Sequence, residues 1–407
     1  GGAVPMGKSR KRMDAEQADD ISSSNLCLLR KLGSPRVAAG RYYLFDPGSY
    51  NERTEVSVNP LDYMAPPKAS CANTPPKGCM FVLESFRRHM DNGRWLFQLG
   101  METQGYLSVG GGVPPPGVDS VDVSQIMDRH HPNIVIFWPR YEWDPQEWGG
   151  TEVLDEHCFR NWECLAEMPE VLRVVVFHDA GSARRQQRRW HEALRPHLYL
   201  TWYHPQSVVA LAPHIREDQI LRTYHVIDRD FAPRIMERDG VAVVSGAYVP
   251  DIYPLRTRAA LAAQNGSLGP GIGLLSHPGY SQTGSTSNAY MTTLSRYRVA
   301  LCTASSYRFA LRKIFEATVA GCRVVTDLPD YDFLQGIDGN LVRIPQDTDV
   351  STLREIFQRE ADEWNLERQK YYASEASRFY DWRVVSEQLA TQLCERRKDL
   401  LTCPTTT

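Results

Sequence analysis

The chain has 407 residues, 42% of them hydrophobic, with 46 Lys and Arg against 49 Asp and Glu and a formal net charge of −3. A chain of this length divides by default into two domains of roughly 150–250 residues, and a charge balance so near zero excludes a polybasic field for nucleic acid or anionic membrane as the main theme. Nine Cys are an odd number and too few for a disulfide scaffold. Cys302 and Cys322 lie in apolar runs and read as small buried hydrophobes, while Cys71 and Cys79 lack the partners a zinc site needs. No apolar run reaches the length of a transmembrane helix, and no apolar stretch follows GGAVPMGKSRKR to make a secretory leader. The expectation is a cytoplasmic protein with no transmembrane segment and no nucleic-acid partner.

Residues 1–25 are polar and Ser-rich and read as an unstructured tail. A loop-rich extension follows, through about residue 80. FVLESFRRHMDNG, closed by Gly93, is predicted as a helix, WLFQLG as a strand and VSQIMDRHHP as a helix stopped by Pro132. NIVIFWP is a fully covered strand, FRNWECLAEMPE a helix and VLRVVVFHD the next strand. A basic helix over 182–194, the strand HLYLTWY and the helix QSVVALAP complete this half. From Gly240 a second series begins, with strands VAVVSGAYV, GIGLLSH, VALCT, CRVVTD and NLVRI. Helices PLRTRAALAAQNG, SNAYMTTLSRY and a segment over 305–320 intervene, followed by a long helix over 350–377 and a last one over 382–397. Strands alternating with helices give an α/β class with parallel sheets. The expected domains are 26–239, a Rossmann-like acceptor side, and 240–380, a Rossmann-like nucleotide-sugar side. Residues 381–407 form a helix returning toward the first domain, and a tail.

The densest chemistry lies between 245 and 330. In SGAYVPDIYPLR, Gly246 permits a sharp exit from a strand and Arg256 falls in the first turns of a helix. Helix amino termini favour phosphate and arginine holds it bidentately, so Arg256 is either a phosphate ligand or a solvated surface charge. Neither a P-loop nor a dinucleotide GxGxxG is present, which argues against an ATPase and a dehydrogenase. In SHPGYSQTGSTSNAY, His277 is a ligand contact or a packed loop residue, and Ser285 and Thr286 are candidate caps able to meet an anion. In the third unit, Ser305 or Ser306 is expected to cap the helix, and Lys313 and Glu316, three apart, share a face. They form either a surface ion pair or a diphosphate and ribose ligand set.

YPLR after a strand glycine, HPGY in the next unit, and YRFALRKIFEATVAGCRVVTDLP together resemble the sugar-nucleotide domain of GT-B glycosyltransferases, nearest the CgeB-like branch related to the group 1 transferases. The resemblance covers roughly 240–345 and implies GT-B architecture, two Rossmann-like domains facing across a cleft. It implies a UDP- or GDP-linked sugar as donor, transfer to a hydroxylated acceptor and no metal, with Lys313 near the phosphates and Glu316 on the ribose. Group 1 transferases carry a second glutamate eight positions before the one matching Glu316, and here that position is Arg308. Arg308 therefore leaves the stereochemistry open and is itself a candidate phosphate ligand. A sugar-nucleotide epimerase or hydrolase and a non-catalytic nucleotide-sugar binder are the alternatives.

A transferase of this type takes its general base, when it inverts, from the first domain. His178 and Asp179 follow the strand VLRVVVF at its carboxyl end and are either that base or a buried hydrogen-bonded residue and a helix cap. Glu142 and Asp144 are rivals, among Trp138, Tyr141, Trp143 and Trp148, rings suited to an acceptor wall or to a core. The triplet Asp228-Arg229-Asp230 invites a metal reading. Its place in a loop leaving a first-domain strand argues against a metal, and His225 and Asp228 are expected to shape the crossing between domains instead.

Overall fold

The computed structural model describes residues 42–43, 55–56, 78–82, 92–110, 121–138, 159–177, 191–276 and 287–402. Two units divide the chain: Gly1–Phe45 with Asn51–Ala65, and Asp46–Tyr50 with Pro66–Thr407. In the first, strands β1 (Tyr42–Tyr43) and β2 (Glu55–Val56) pair antiparallel. Everything below concerns the second.

Its first sheet takes β3 (Gly78–Val82), β4 (Tyr106–Gly110), β6 (Ile134–Trp138), β8 (Leu172–Val176), β9 (Leu198–Thr201) and β10 (Ile220–Arg222). β5 (Val121–Asp122) and β7 (Phe159–Arg160) pair apart from it. The six strands run parallel in the order β10-β9-β8-β6-β3-β4. Every residue of β6 and β8 is buried, the pattern of a parallel sheet covered on both faces. The second sheet holds β11 (Gly240–Gly246), β12 (Ile272–Ser276), β13 (Tyr297–Leu301), β14 (Arg323–Thr326) and β15 (Leu341–Arg343). It too is parallel, in the order β12-β11-β13-β14-β15. Both sheets wind the same way: the second strand lies on one side of the first, and all later strands on the other. The expected α/β class, parallel sheets with flanking helices, is the observed one.

Among the described residues the helices are α1 (Asn92–Thr103), α2 (Val123–His130), α3 (Pro205–Leu211), α4 (Pro254–Gln264), α5 (Ser287–Leu294), α6 (Arg312–Val319), α7 (Val350–Asp362), α8 (Leu366–Tyr380) and α9 (Trp382–Thr402). None is long and apolar enough to cross a membrane. Two expected elements exchange identity. Phe81 and Val82, read as helical, end β3, while WLFQLG, read as a strand, lies in α1. Cys79, Met80 and Phe81 are consecutively buried between β4 and β6, whereas Phe97 and Met101 are buried one helical turn apart. Likewise FRNWECLAEMPE forms β7 and a 3₁₀ turn over Trp162–Glu167 rather than an α-helix. The long helix expected over 350–377 is two, because Asn365 caps α8 through its bond from the Arg368 N–H (2.9 Å). Trp364, just before, donates its indole N–H to the Gly321 carbonyl (3.0 Å) and so is pinned inward.

The last helix returns to the first sheet's side. Ile227 and Asp381 form a parallel bridge, with Ile227 N–H on the Tyr380 carbonyl (2.9 Å) and Trp382 N–H on the Ile227 carbonyl (3.0 Å). α9 then packs on α1 so closely that a Cβ on Gly100 would stand 1.8 Å from Ser386 Oγ and 3.2 Å from the Trp382 carbonyl. Asp228, read as a shaper of this crossing, accepts from the Asp230 N–H (3.1 Å) and lies 3.6 Å from Arg383, which also pairs with Asp230 and with fully buried Asp381. Among the described residues no cluster of three or more His, Cys, Asp or Glu could hold a metal ion.

Candidate functional site

Strand order reverses between β11 and β13, and in open α/β sheets the crevice beyond the carboxyl ends at such a point is where ligands bind. The chain leaves β11 at Gly246, whose φ of +112° is open to glycine and strained for any other residue. A Cβ there would lie 2.0 Å from Lys313 Nζ and 2.9 Å from Arg256 Nη1. Residues 246, 256 and 313, from a strand end and two helices, therefore meet at the reversal.

Arg256 is 2% exposed, so the alternative of a solvated surface charge does not hold. Pro254 starts α4, and Leu255 and Arg256, the next two residues, are buried. The guanidinium lies 3.8 Å from the Tyr253 ring centroid and gives Ala247 and Thr303 carbonyls one long bond each, both 3.4 Å. Its Nε and the Thr303 hydroxyl are buried with no hydrogen-bond partner. Lys313 donates to the Ser245 carbonyl (3.3 Å) and stands 5.8 Å from the Tyr290 ring, whose hydroxyl bonds Ser245 Oγ (2.6 Å). Desolvation first, and the neighbouring Arg256 second, push the Lys313 pKa down to about 7. Two cations held together in poor solvent make a cradle for an anion.

The surroundings differ from expectation in three respects. The helix expected over 305–320 begins only at Arg312, because Ser305 (φ +68°) and Arg308 (φ +59°) are left-handed and cannot continue a right-handed helix. Ser305 and Ser306 do not cap it: Ser305 Oγ accepts from the Tyr307 N–H (3.3 Å), and Ser306 Oγ donates to the Asp251 carbonyl (3.0 Å). Glu316, 5% exposed, pairs with Arg312 at 3.2 Å, one helical turn back. The partner expected on spacing was Lys313, which turns to Gly246 instead. Glu316 still follows Lys313 by three residues and lies next to the cradle on α6.

A cleft of about 880 Å³ opens beyond the carboxyl ends of β13, β14 and β15, lined among others by Arg258, Ser305, Arg308, Asp327, Tyr331 and Arg343. Asp327 ties its floor to the switch point by accepting the Ala304 N–H (2.6 Å). Residues of the first sheet's side hold the cleft's edge. Ser207 Oγ bonds the Arg308 carbonyl (3.2 Å) and Tyr331 Oη (3.0 Å), Tyr203 stacks on Phe309 at 3.7 Å, and Arg222 pairs with fully buried Asp332. Sequence reading missed these residues, since each acts across more than 100 positions; Tyr253 and Thr303, beside expected residues, were also missed.

Trp138 and Trp202, at ring centroids 5.4 Å apart and both buried against Phe97, belong to the core rather than to an acceptor wall. Cys302 and Cys322 are buried as expected. The expected residues His178, Asp179, Glu142, Asp144, His277, Ser285 and Thr286 lie outside the described residues, as do Tyr141, Trp143 and Trp148 and most of the basic helix over 182–194.

No family model and no curated protein matches the chain. Solved structures similar to it include a glycosyltransferase from Rickettsia africae ESF-5, 9% identical over 81% of this chain and all of that one, with a TM-score of 0.49. Anabaena HepE in complex with UDP and glucose is 11% identical over 78% of this chain and all of that one, at 0.48. The pneumococcal O-GlcNAc transferase GtfA in complex with UDP and GlcNAc is 13% identical over 69% of this chain and 60% of that one, at 0.40.

Proposed function

We propose that the chain is a GT-B glycosyltransferase that moves a sugar from a UDP- or GDP-linked donor to a hydroxyl acceptor. The observation that carries the reading is the convergence of Arg256 and Lys313 on Gly246 at the reversal point of the second sheet. The absent Cβ is what lets both cationic groups close on the backbone at the strand end. Charge develops on the diphosphate as the glycosidic bond breaks, so cations fixed beforehand act in the transition state more than in the ground state. Glu316, one turn further along α6, is assigned to the ribose hydroxyls.

Lys313 adds a proton economy to this. Its pKa is pushed down to about 7, and an arriving diphosphate favours the charged form. Donor binding then takes up a fraction of a proton. The acceptor's proton is assigned to His178 or Asp179, with Glu142 and Asp144 as the rivals.

The test compares affinities within one variant. In K313A and R256A, UDP or GDP affinity should fall at least tenfold more than affinity for the free nucleoside. Equal loss for both ligands would remove the diphosphate assignment. Consumption of UDP- or GDP-sugar only when a hydroxylated acceptor is present supports transfer. Consumption without an acceptor would favour the hydrolase or epimerase reading instead.

A further inference from the structure

The turn between β13 and α6 has a second feature, apart from the Gly246 cradle. Ser305 and Arg308 are both left-handed, within four residues and without a glycine. Such backbone is unfavourable for any residue but glycine and persists where neighbours over-determine it. Here they do so from two sides. Ser306 N–H bonds the Ile252 carbonyl (2.7 Å) and Phe309 N–H the Ala304 carbonyl (2.8 Å). From the first sheet's side, Ser207 holds the Arg308 carbonyl and Tyr203 covers Phe309.

The strained turn presents the exposed Arg308 side chain to the cleft. The other arginines lining that cleft are occupied: Arg258 by the Gln346 and Thr348 carbonyls, Arg343 by Asp330, Asp338 and the Pro329 and Asp332 carbonyls. Asp327 is likewise engaged by Ala304 and Gln346. Among the described residues the Arg308 guanidinium has neither an ion pair nor a hydrogen bond. Of the two exposed acids lining the cleft, Asp330 is paired with Arg343 (3.4 Å), and Asp347 follows β15, two strands away at a spacing of about 5 Å per strand. Arg308 belongs to the turn that opens two residues after Thr303, whose carbonyl receives Arg256. An unspent cation thus lies on the turn that leads out of Thr303, in the cleft and separate from the cradle.

We infer that Arg308 is a specificity-determining residue for a donor sugar bearing a carboxylate, a nucleotide-diphosphate uronate, which it binds through a planar two-point hydrogen-bonded pair. This rests on the donor reading of the Gly246 cradle. The guanidinium fork matches a carboxylate, and a hydroxymethyl group at the same position leaves the cation unmatched.

Calorimetry without acceptor tests it, using UDP and GDP alone, UDP-glucuronate against UDP-glucose, and GDP-mannuronate against GDP-mannose. With the base that binds, the uronate should bind about tenfold or more tighter than the neutral sugar. R308Q should bring the pair to equal affinity, and R308K should restore part of the difference. Equal affinity for uronate and neutral sugar in the unaltered protein overturns this inference and leaves the donor reading standing, as does a preference that R308Q retains. Failure of both UDP and GDP to bind refutes the donor reading and this inference together.

Discussion

Replacing Lys313 with Met separates a residue kept for the fold from one kept for a ligand. Met retains the length of the side chain and removes the charge. The Lys313 ammonium titrates at about 7 rather than 10.5, a difference on the order of 4–5 kcal/mol at about 1.4 kcal/mol per pH unit. Part of this returns through the bond to Ser245 and through residual solvent contact, so the net gain in K313M is expected to be about 1–3 kcal/mol at pH 6. The sign of the pH dependence follows from proton counts. Between pH 7 and 10.5 the unfolded chain holds a proton on Lys313 that the folded chain lacks, so stability rises with pH in that window. The penalty is complete below pH 7 and gone above 10.5. Urea unfolding of both proteins at pH 6 and pH 9 should show the advantage of K313M shrinking by about 2–3 kcal/mol between them. All other titrating groups cancel in the comparison. Saturating UDP or GDP should stabilise the unaltered protein more than K313M. A variant less stable at pH 6, or a difference independent of pH, would refute the argument.

Gly246→Ala should lose diphosphate affinity at least tenfold and about 1–3 kcal/mol of stability, because its φ of +112° and the 2.0 Å approach to Lys313 both oppose a methyl group; unchanged calorimetric binding would contradict the cradle. Asp332→Ala should cost about 3–5 kcal/mol in urea unfolding by stranding Arg222, whereas replacing both by apolar residues should cost much less. Gly100→Ala should destabilise by about 1–3 kcal/mol, and the double change G100A/S386G should recover most of it, since the intruding methyl meets Ser386 first. H178A or D179A should lower transfer while leaving donor affinity nearly intact, and an unchanged rate in both would move the base elsewhere.

The parts legible in the sequence were those with one local cause. IVIFW and LRVVV are apolar runs of strand length, and both are strands buried throughout. The reading failed where the cause was distant. Nothing in WLFQLG announces that Gly100 lies under Ser386, the contact that goes with its helical form. YRFALRK is a fair helix by composition, yet contacts from Ile252, Tyr203 and Ser207 hold its first half as a left-handed turn. Spacing also cannot choose between Arg312 and Lys313 as the partner of Glu316. Gly246 drew Lys313 away, and Arg312 took the carboxylate. The burial of Arg256 was hidden in part for the same reason, since Thr303, 47 positions away, joins Ala247 and Tyr253 of its own strand-to-helix turn in making it.

That burial also bears on why the cradle exists. Among the described residues the other buried arginines make closer bonds than Arg256, although Arg238 Nη2 also lacks a partner. Arg173 gives the Met168, Leu194 and Arg195 carbonyls bonds of 2.7–3.3 Å, and Arg238 serves Met236, Tyr297 and Ala320 at 3.0–3.2 Å. Arg222 and Arg323 have carboxylates. Arg256 has two bonds at 3.4 Å, past the good range, an unpartnered Nε, and a second cation beside it. The carboxylate within reach, Glu316, is paired with Arg312. A fold selected only for stability would place an acid or an apolar side chain at residue 313, and each substitution would relieve the repulsion. Stability alone therefore does not account for the pair. The proposed diphosphate would, binding where two cationic side chains stand together without a carboxylate of their own.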